Sequence, residues 1–388
     1  MSHQTKKRKR IALIGCTGSV GSSVVDVCRT YPDMFEIKLL AADTGRASLP
    51  ALCEEFRPET VVLTAPRGDL PAGVKLLTGA RELERIAERD DIDHIVFASS
   101  GVAAVKTIAR ALELGREISI ANKESALIIG DGLSASVRAG LTRPLDSEHN
   151  AVWQCIKGEK YEHIDKIYLT ASGGPFLRTP LEQLEHVTPA QAVAHPVWSM
   201  GSKISVDSAT MINKGIELLE AHYLFGVPSD KILPVIHPGS KIHGMITFTD
   251  GASKLLMSPP DMRLASLTAL SLPERLPQKM KGITPIDFDS LDLHFEKPDP
   301  ERYPGLATAQ RCAQLGEPYP VILIASDAAA VELFLKGEIP YTDIAKTVAR
   351  TIEGYCGKDV SGIEERTALY ARAYAHALAH RTEAKGWE

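Results

Sequence analysis

Between Pro144 and the apolar pair Ala151–Val152 stand Asp146, Ser147, Glu148, His149 and Asn150, five polar side chains in a row. Each can do chemistry. Asp146 and Glu148 are two positions apart, so in an extended segment their carboxylates point to one side and Ser147 to the other. Two carboxylates on one side suit a hard divalent cation, Mg2+ or Mn2+, which prefers oxygen ligands. A bland reading competes. Asp, Ser and Asn are also good helix N-caps, and AVWQCI could be the helix so capped.

A second group lies in DSATMINKGIELLEAHYLF, which reads as one helix from Asp207. Met211, Ile212, Ile216, Leu218 and Leu219 fall in one arc; Asn213, Lys214, Glu217 and Glu220 fall in the opposite one. A solvated outer face is the simple reading. Against it, Asn213 and Gly215 are poor helix formers for a surface that only meets water. Ser208, Asn213 and Lys214 could hold a phosphate near the positive end of this helix, with Glu217 one turn on to face a metal.

Two more stretches sit at strand ends. GCTGSVG, Gly15 to Gly21, follows the apolar run IALI and opens a helical stretch. Glycines there let the backbone approach a pyrophosphate whose charge rests on the helix start. ANKES, Ala121 to Ser125, follows the apolar run ISI, so Asn122, Lys123 and Glu124 stand where parallel sheets bind ligands.

The elements that must position these groups are legible. Strand and helix signals alternate through the first third of the chain, which predicts a parallel sheet covered on both faces. MITFTDGASKLLMS alternates around Asp250-Gly251 as a hairpin does. HVTPAQAVAHPVWSMGSK reads as a long loop, and long loops in compact domains are often lids. SLPERLPQKMKGITPIDFDSLD is Pro-rich and linker-like, and the chain beyond it is mostly helical. The expected organisation is an α/β protein. It has a Rossmann-like dinucleotide-binding domain over 1–145 and a central α/β catalytic and dimerisation domain with a mobile lid over 146–272. A linker over 273–300 and a C-terminal helical domain over 301–388 complete it.

With 388 residues, 44% of them hydrophobic and 24% charged, the chain has an ordinary globular composition. A net charge of −5 gives no global reason to expect nucleic acid. The basic run Lys6–Arg10 reads as a solvated tail, and no apolar run reaches membrane-spanning length. Six scattered cysteines without a CxxC pattern read as reduced, packed thiols of a cytoplasmic protein.

The order and spacing of GCTGSVG, ANKES, LDSEHNA, ASGGPF, AHPVWSMGSKISVDSATMINKGIE and IHPGSKIH resemble the 1-deoxy-D-xylulose 5-phosphate reductoisomerase family over nearly the whole chain. The resemblance implies reductive rearrangement of that sugar phosphate to 2-C-methyl-D-erythritol 4-phosphate, in non-mevalonate isoprenoid synthesis, by a homodimer using NADPH and Mg2+ or Mn2+. It implies Asp146, Glu148 and Glu217 as metal ligands, and Lys123, Glu148 and His195 as catalytic groups. Ser147, Ser172, Trp198, Ser208, Asn213 and Lys214 become substrate contacts, with Lys123, Glu148, His195 and Glu217 beside them. Thr17, Gly18, Ser19, Val20, Asn122, Glu124 and Gly201 become cofactor contacts, with Arg46 on the 2′-phosphate. Three segments depart from the family pattern: AADTGRAS, where Asp43 competes with Arg46 at the cofactor ribose, FASSGVAAV and IASDA. A non-catalytic nucleotide or sugar-phosphate sensor on this fold would be expected to have lost Lys123 or a metal ligand, and all are present.

Overall fold

The structure, a computed structural model, describes residues 7–44, 48–65, 70–198, 200–357, 360–380 and 386–388. It divides into two compact units. The first takes Met1–Ser125, Gly132–Asn150 and Asp261–Thr284; the second takes Ala126–Asp131, Ala151–Pro260 and Pro285–Glu388.

In the first unit, strands β1 (Lys9–Ile14), β2 (Phe35–Ala42), β3 (Thr60–Leu63), β4 (Lys75–Thr78), β5 (His94–Phe97), β6 (Ile118–Ile120) and β7 (Thr142–Pro144) form one sheet. Its order is β4-β3-β2-β1-β5-β6-β7, and all pairs are parallel. The expected doubly wound sheet is therefore present. β1 reads IALI because both its faces are covered, and Ile11, Ala12 and Leu13 are fully buried. The chain moves outward from β1 to β4, then returns to β5 on the other side of β1. That reversal opens a crevice at the carboxyl ends of β1 and β5.

The units do not follow the boundaries expected at 145, 272 and 300. The helix Met262–Ser271 packs on the helix Ser19–Thr30 of the first unit, and Leu267, Ala269 and Leu270 join that core. Arg143 donates to the Ala269 carbonyl at 2.9 Å and Lys9 to the Leu270 carbonyl at 3.0 Å, which satisfies the free carbonyls of the helix end. Part of the expected linker is docked as well: the Tyr31 hydroxyl donates to the Pro277 carbonyl, and Met280 is buried.

A charged network lies under these contacts. His94 is fully buried, with Nε2 2.7 Å from Ser119 Oγ and Nδ1 facing Glu117. Burial pushes the His94 imidazole down to about 4. The His94 hydrogen bond, then Lys9 and Arg143, hold the Glu117 carboxyl at about 2. His94 titrates near 6.5 when unfolded, so unfolded chains take up that proton first. Its contribution is expected to fade as pH falls from about 6.5 to about 4, and that of Glu117 between about 4.5 and about 2. Urea unfolding of His94→Gln should show a flatter loss of stability between pH 6.5 and 4; a slope equal to the parent's contradicts this.

The second unit holds β8 (Ile164–Ala171), β9 (Ile232–Ile236), β10 (Ile242–Phe248) and β11 (Ser253–Met257), in the order β11-β10-β8-β9. β10 and β11 form the expected hairpin, and Asp250 accepts from the Ala252 N–H in its turn. Among the described residues four long helices follow, Pro304–Leu315, Tyr319–Leu335, Asp343–Gly354 and Gly362–Ala379, as expected for the C-terminal part. Tyr319–Leu335 is apolar on nearly every side because the others cover it.

The single helix expected from Asp207 is two helices. Met211 adopts φ 55, a left-handed conformation that ends Ser202–Thr210 and starts Ile212–Phe225. A built Cβ on Gly215 lies 2.3 Å from the Ala309 methyl, so close approach to Pro304–Leu315 explains this glycine. Among the described residues no helix is long and apolar enough to cross a membrane.

Candidate active site

The first unit presents the glycine turn. Gly15 has φ +86, and a Cβ there would fall 2.5 Å from the Ser99 amide nitrogen, so this position admits no side chain. Thr17, Gly18 and Ser19 are exposed and Val20 is half-buried. Gly18 heads the helix Ser19–Thr30 without any side-chain cap, and the first turn has no acidic residue. The positive helix end therefore faces outward with free N–H groups, the arrangement that receives a phosphate. Cys16 in the turn is buried, and burial pushes its thiol up to about 12, so it packs rather than reacts.

Asn122 is fully buried. Its amide donates to the carbonyls of Ser99 and Gly101, and its Oδ1 accepts from the Ser125 N–H at 2.7 Å. The side chain thus ties the loop after β5 to the helix Lys123–Ile129. Glu124 lies in the first turn of that helix. Lys123 forms an ion pair with Asp146, with both side chains largely buried.

The LDSEHNA string is not extended. Asn150 N–H donates to the Asp146 carbonyl at 2.8 Å, so Asp146 stands at the head of the helix Ser147–Ile156. The strand argument for Asp146 and Glu148 sharing a side is therefore replaced by a helical turn. Ser147 Oγ donates to Glu148 at 2.6 Å. Asn150 donates to the Pro144 carbonyl at 2.8 Å, which fixes the turn from β7 into the helix.

The second unit presents a histidine between two hydroxyls. His195 Nε2 lies 3.0 Å from Ser172 Oγ and 3.1 Å from Ser208 Oγ. Its Nδ1 accepts from the backbone N–H groups of Val197 and Trp198, at 3.1 and 2.9 Å. Acceptance at Nδ1 places the proton of the neutral ring on Nε2, aimed at the two serines. Ser172 also accepts from the Gly174 N–H. Trp198 is half-buried, with its ring 6.0 Å from that of His243. His243 is the last residue of IHPGSKIH. Gly201 is exposed and heads the helix Ser202–Thr210.

Lys214 and Glu217 are not on a wet face: they are 3% and 1% exposed. The Lys214 ammonium bonds Glu217 at 2.5 Å, and Asn213 donates to the same carboxylate. Glu220, in the same polar arc, is also buried. Lys203 and Asp327 were missed as a pair: Lys203 bridges the buried Asp207 and Asp327 carboxylates at 2.6 Å each. The SDA of IASDA was the available signal. Arg46 lies outside the described residues. Its competitor Asp43 accepts from Thr64 Oγ1 at 2.6 Å.

A doubly wound sheet with a bare helix end over its glycine turn defines a dinucleotide-binding α/β protein. A second unit carrying a buried cation, amide and hydroxyl set suits a small anionic substrate. Family models described as 1-deoxy-D-xylulose 5-phosphate reductoisomerase and its C-terminal domains match residues 11–130, 142–225 and 257–378. The reductoisomerase of Chlorobaculum tepidum is 40% identical over 357 residues, covering 89% of this chain and 93% of that one. That of Cupriavidus metallidurans is 41% identical over 360, covering 89% and 91%. The solved enzyme from Zymomonas mobilis in complex with NADPH superposes with a TM-score of 0.87 at 32% identity, covering 97% of this chain and 100% of that one. A reductoisomerase in complex with NADPH, fosmidomycin and magnesium gives 0.85 at 33%, covering 96% and 98%. The chain belongs to the 1-deoxy-D-xylulose 5-phosphate reductoisomerase family.

Proposed function

We propose that the chain converts 1-deoxy-D-xylulose 5-phosphate to 2-C-methyl-D-erythritol 4-phosphate, using NADPH and Mg2+ or Mn2+. The observation that carries this is the family membership together with an intact set of polar groups. His195 aims its Nε2–H at Ser172 and Ser208, and Lys214 and Asn213 converge on Glu217. The groups present fit both cofactors. The Gly15 turn has no room for a Cβ and sits beside a bare helix end, which suits a pyrophosphate. Asp146, Glu148 and Glu217 are hard oxygen donors, which suit Mg2+. When bound, the cation supplies Lewis acidity to the substrate oxygens and the nicotinamide supplies hydride.

The reaction breaks one carbon–carbon bond, forms another and reduces the resulting aldehyde. In our reading Lys214, Asn213, Ser172 and Ser208 bind the substrate phosphate, and His195 donates from Nε2 beside them. Glu148 moves a proton at the substrate hydroxyls, and Lys123 holds those hydroxyls in place. Trp198, with residues 186–201, closes as a lid and excludes water from the reactive intermediate. Thr17, Gly18, Ser19, Val20, Asn122, Glu124 and Gly201 serve the cofactor, Asn122 by shaping the 99–101 loop. Incubation with 1-deoxy-D-xylulose 5-phosphate, NADPH and Mg2+ should consume the reduced cofactor and yield the branched product. Oxidation of NADPH without a branched product would leave only a plain dehydrogenase.

Cofactor choice falls to Arg46, whose guanidinium pairs a 2′-phosphate bidentately. The bond from Thr64 gives Asp43 another partner than a ribose. The ratio of kcat/KM for NADPH over NADH should exceed one and fall at least about tenfold in Arg46→Ala, since a charge-assisted contact contributes about 1.5–3 kcal/mol. Equal use of NADH by the parent assigns the ribose to Asp43 instead.

The working state is a homodimer in the cytoplasm. Leu233, Tyr168, Met245 and Leu255 lie in register across the four-stranded sheet, and Leu255 is 43% exposed. An apolar row of this kind suits a second copy. Six free cysteines suit a reducing compartment.

A further inference from the structure

We propose that His376 and His380 form a bidentate site for a divalent cation of the Cu2+, Ni2+ or Zn2+ class. They are four positions apart, the spacing that puts two side chains one turn apart on one helix face. Helices that bind zinc use the same spacing for paired imidazoles. His380 caps the helix Gly362–Ala379: its own backbone has left the helical region (φ −121, ψ 42), but its N–H still donates to the His376 carbonyl at 2.9 Å, which keeps it one turn from His376. The ring centroids are 4.7 Å apart with an interplanar angle of 43°.

The first ring is held in place. His376 stacks on Trp387 at 5.1 Å and 19°. Trp387 is itself anchored: its indole N–H donates to the Thr351 carbonyl at 2.8 Å and its amide to the Gly354 carbonyl at 2.9 Å. A fixed ring loses little freedom on binding, which favours affinity. Both histidines are half-buried, so one side of the pair stays open to water for the remaining ligands. Imidazole nitrogens select late first-row cations, whereas Mg2+ prefers oxygen. This pair is therefore chemically distinct from the carboxylates assigned to Mg2+, and its metal is a different one.

The anchored indole reports on the site. The full chain, with Mg2+ in excess to fill oxygen sites, is titrated with Cu2+ while tryptophan emission is followed. Emission is expected to fall saturably, and the affinity to drop at least about tenfold in His380→Ala as the chelate becomes a single ligand. His376→Ala should behave alike. Trp387→Phe should lose the signal and keep the binding heat in calorimetry. Equal quenching midpoints in the parent, His376→Ala and His380→Ala would overturn the site. Heat that persists unchanged in both histidine variants would do the same.

Discussion

Glu217→Gln is expected to lower kcat/KM for 1-deoxy-D-xylulose 5-phosphate by about a thousandfold, the rate equivalent of the several kcal/mol a metal supplies as Lewis acid. Glutamine keeps the shape and an acceptor oxygen for Asn213 and Lys214, which both bond this side chain. It removes the negative charge that a hard cation needs. The substitution leaves the buried Lys214 charge without the Glu217 carboxylate, so the variant should lose stability to denaturant, yet circular dichroism without denaturant should match the parent while Mg2+ activation weakens. A variant within threefold of the parent in kcat/KM would show that Glu217 is a buried structural partner of Lys214 and holds no metal. Excess chelator should reproduce the loss in the parent.

Lys214→Met is expected to do two things. Lys214 and Glu217 are nearly fully buried, and removing one member of such a pair strands a charge at a cost of about 3–5 kcal/mol. Denaturant unfolding should show that loss. If Lys214 also binds the substrate phosphate, KM should rise at least about tenfold, since a charge-assisted contact contributes about 1.5–3 kcal/mol. The double variant Lys214→Met/Glu217→Gln separates the effects. It should recover much of the stability, because neither charge is then stranded, while KM stays high. A Lys214→Met enzyme that is less stable but has the parent's KM would confine Lys214 to the fold.

Much of the molecule is legible in its sequence. The alternation from IALI onward reports a two-sided sheet, because strands covered on both faces need continuous apolar runs. The Asp250-Gly251 hairpin was legible because its turn chemistry is local. GCTGSVG marked the crevice because only glycine tolerates Gly15's conformation and its approach to Ser99. The site was legible mainly through residue types in long, specific order. Spacing alone left a metal pair open against a cap, and a phosphate face open against a wet one.

Residue order alone carries the local features: which segments are strand or helix, where a phosphate can meet a helix start, and which side chains carry charge. What those charges meet depends on the folded chain. Helical periodicity put Lys214, Glu217 and Glu220 on one arc, but periodicity cannot say whether an arc faces water, and here it is buried. It also ran one helix through Met211, since nothing in a methionine announces a left-handed backbone imposed by its surroundings. The return of Met262–Ser271 to the first core rests on apolar and carbonyl contacts with residues more than a hundred positions earlier. The proton on His195 Nε2 rests on backbone N–H groups that reach Nδ1 only once the 195–198 turn has formed. Local pattern encodes secondary structure because its forces act within a few residues; burial, pairing and tautomer depend on partners that only folding brings near.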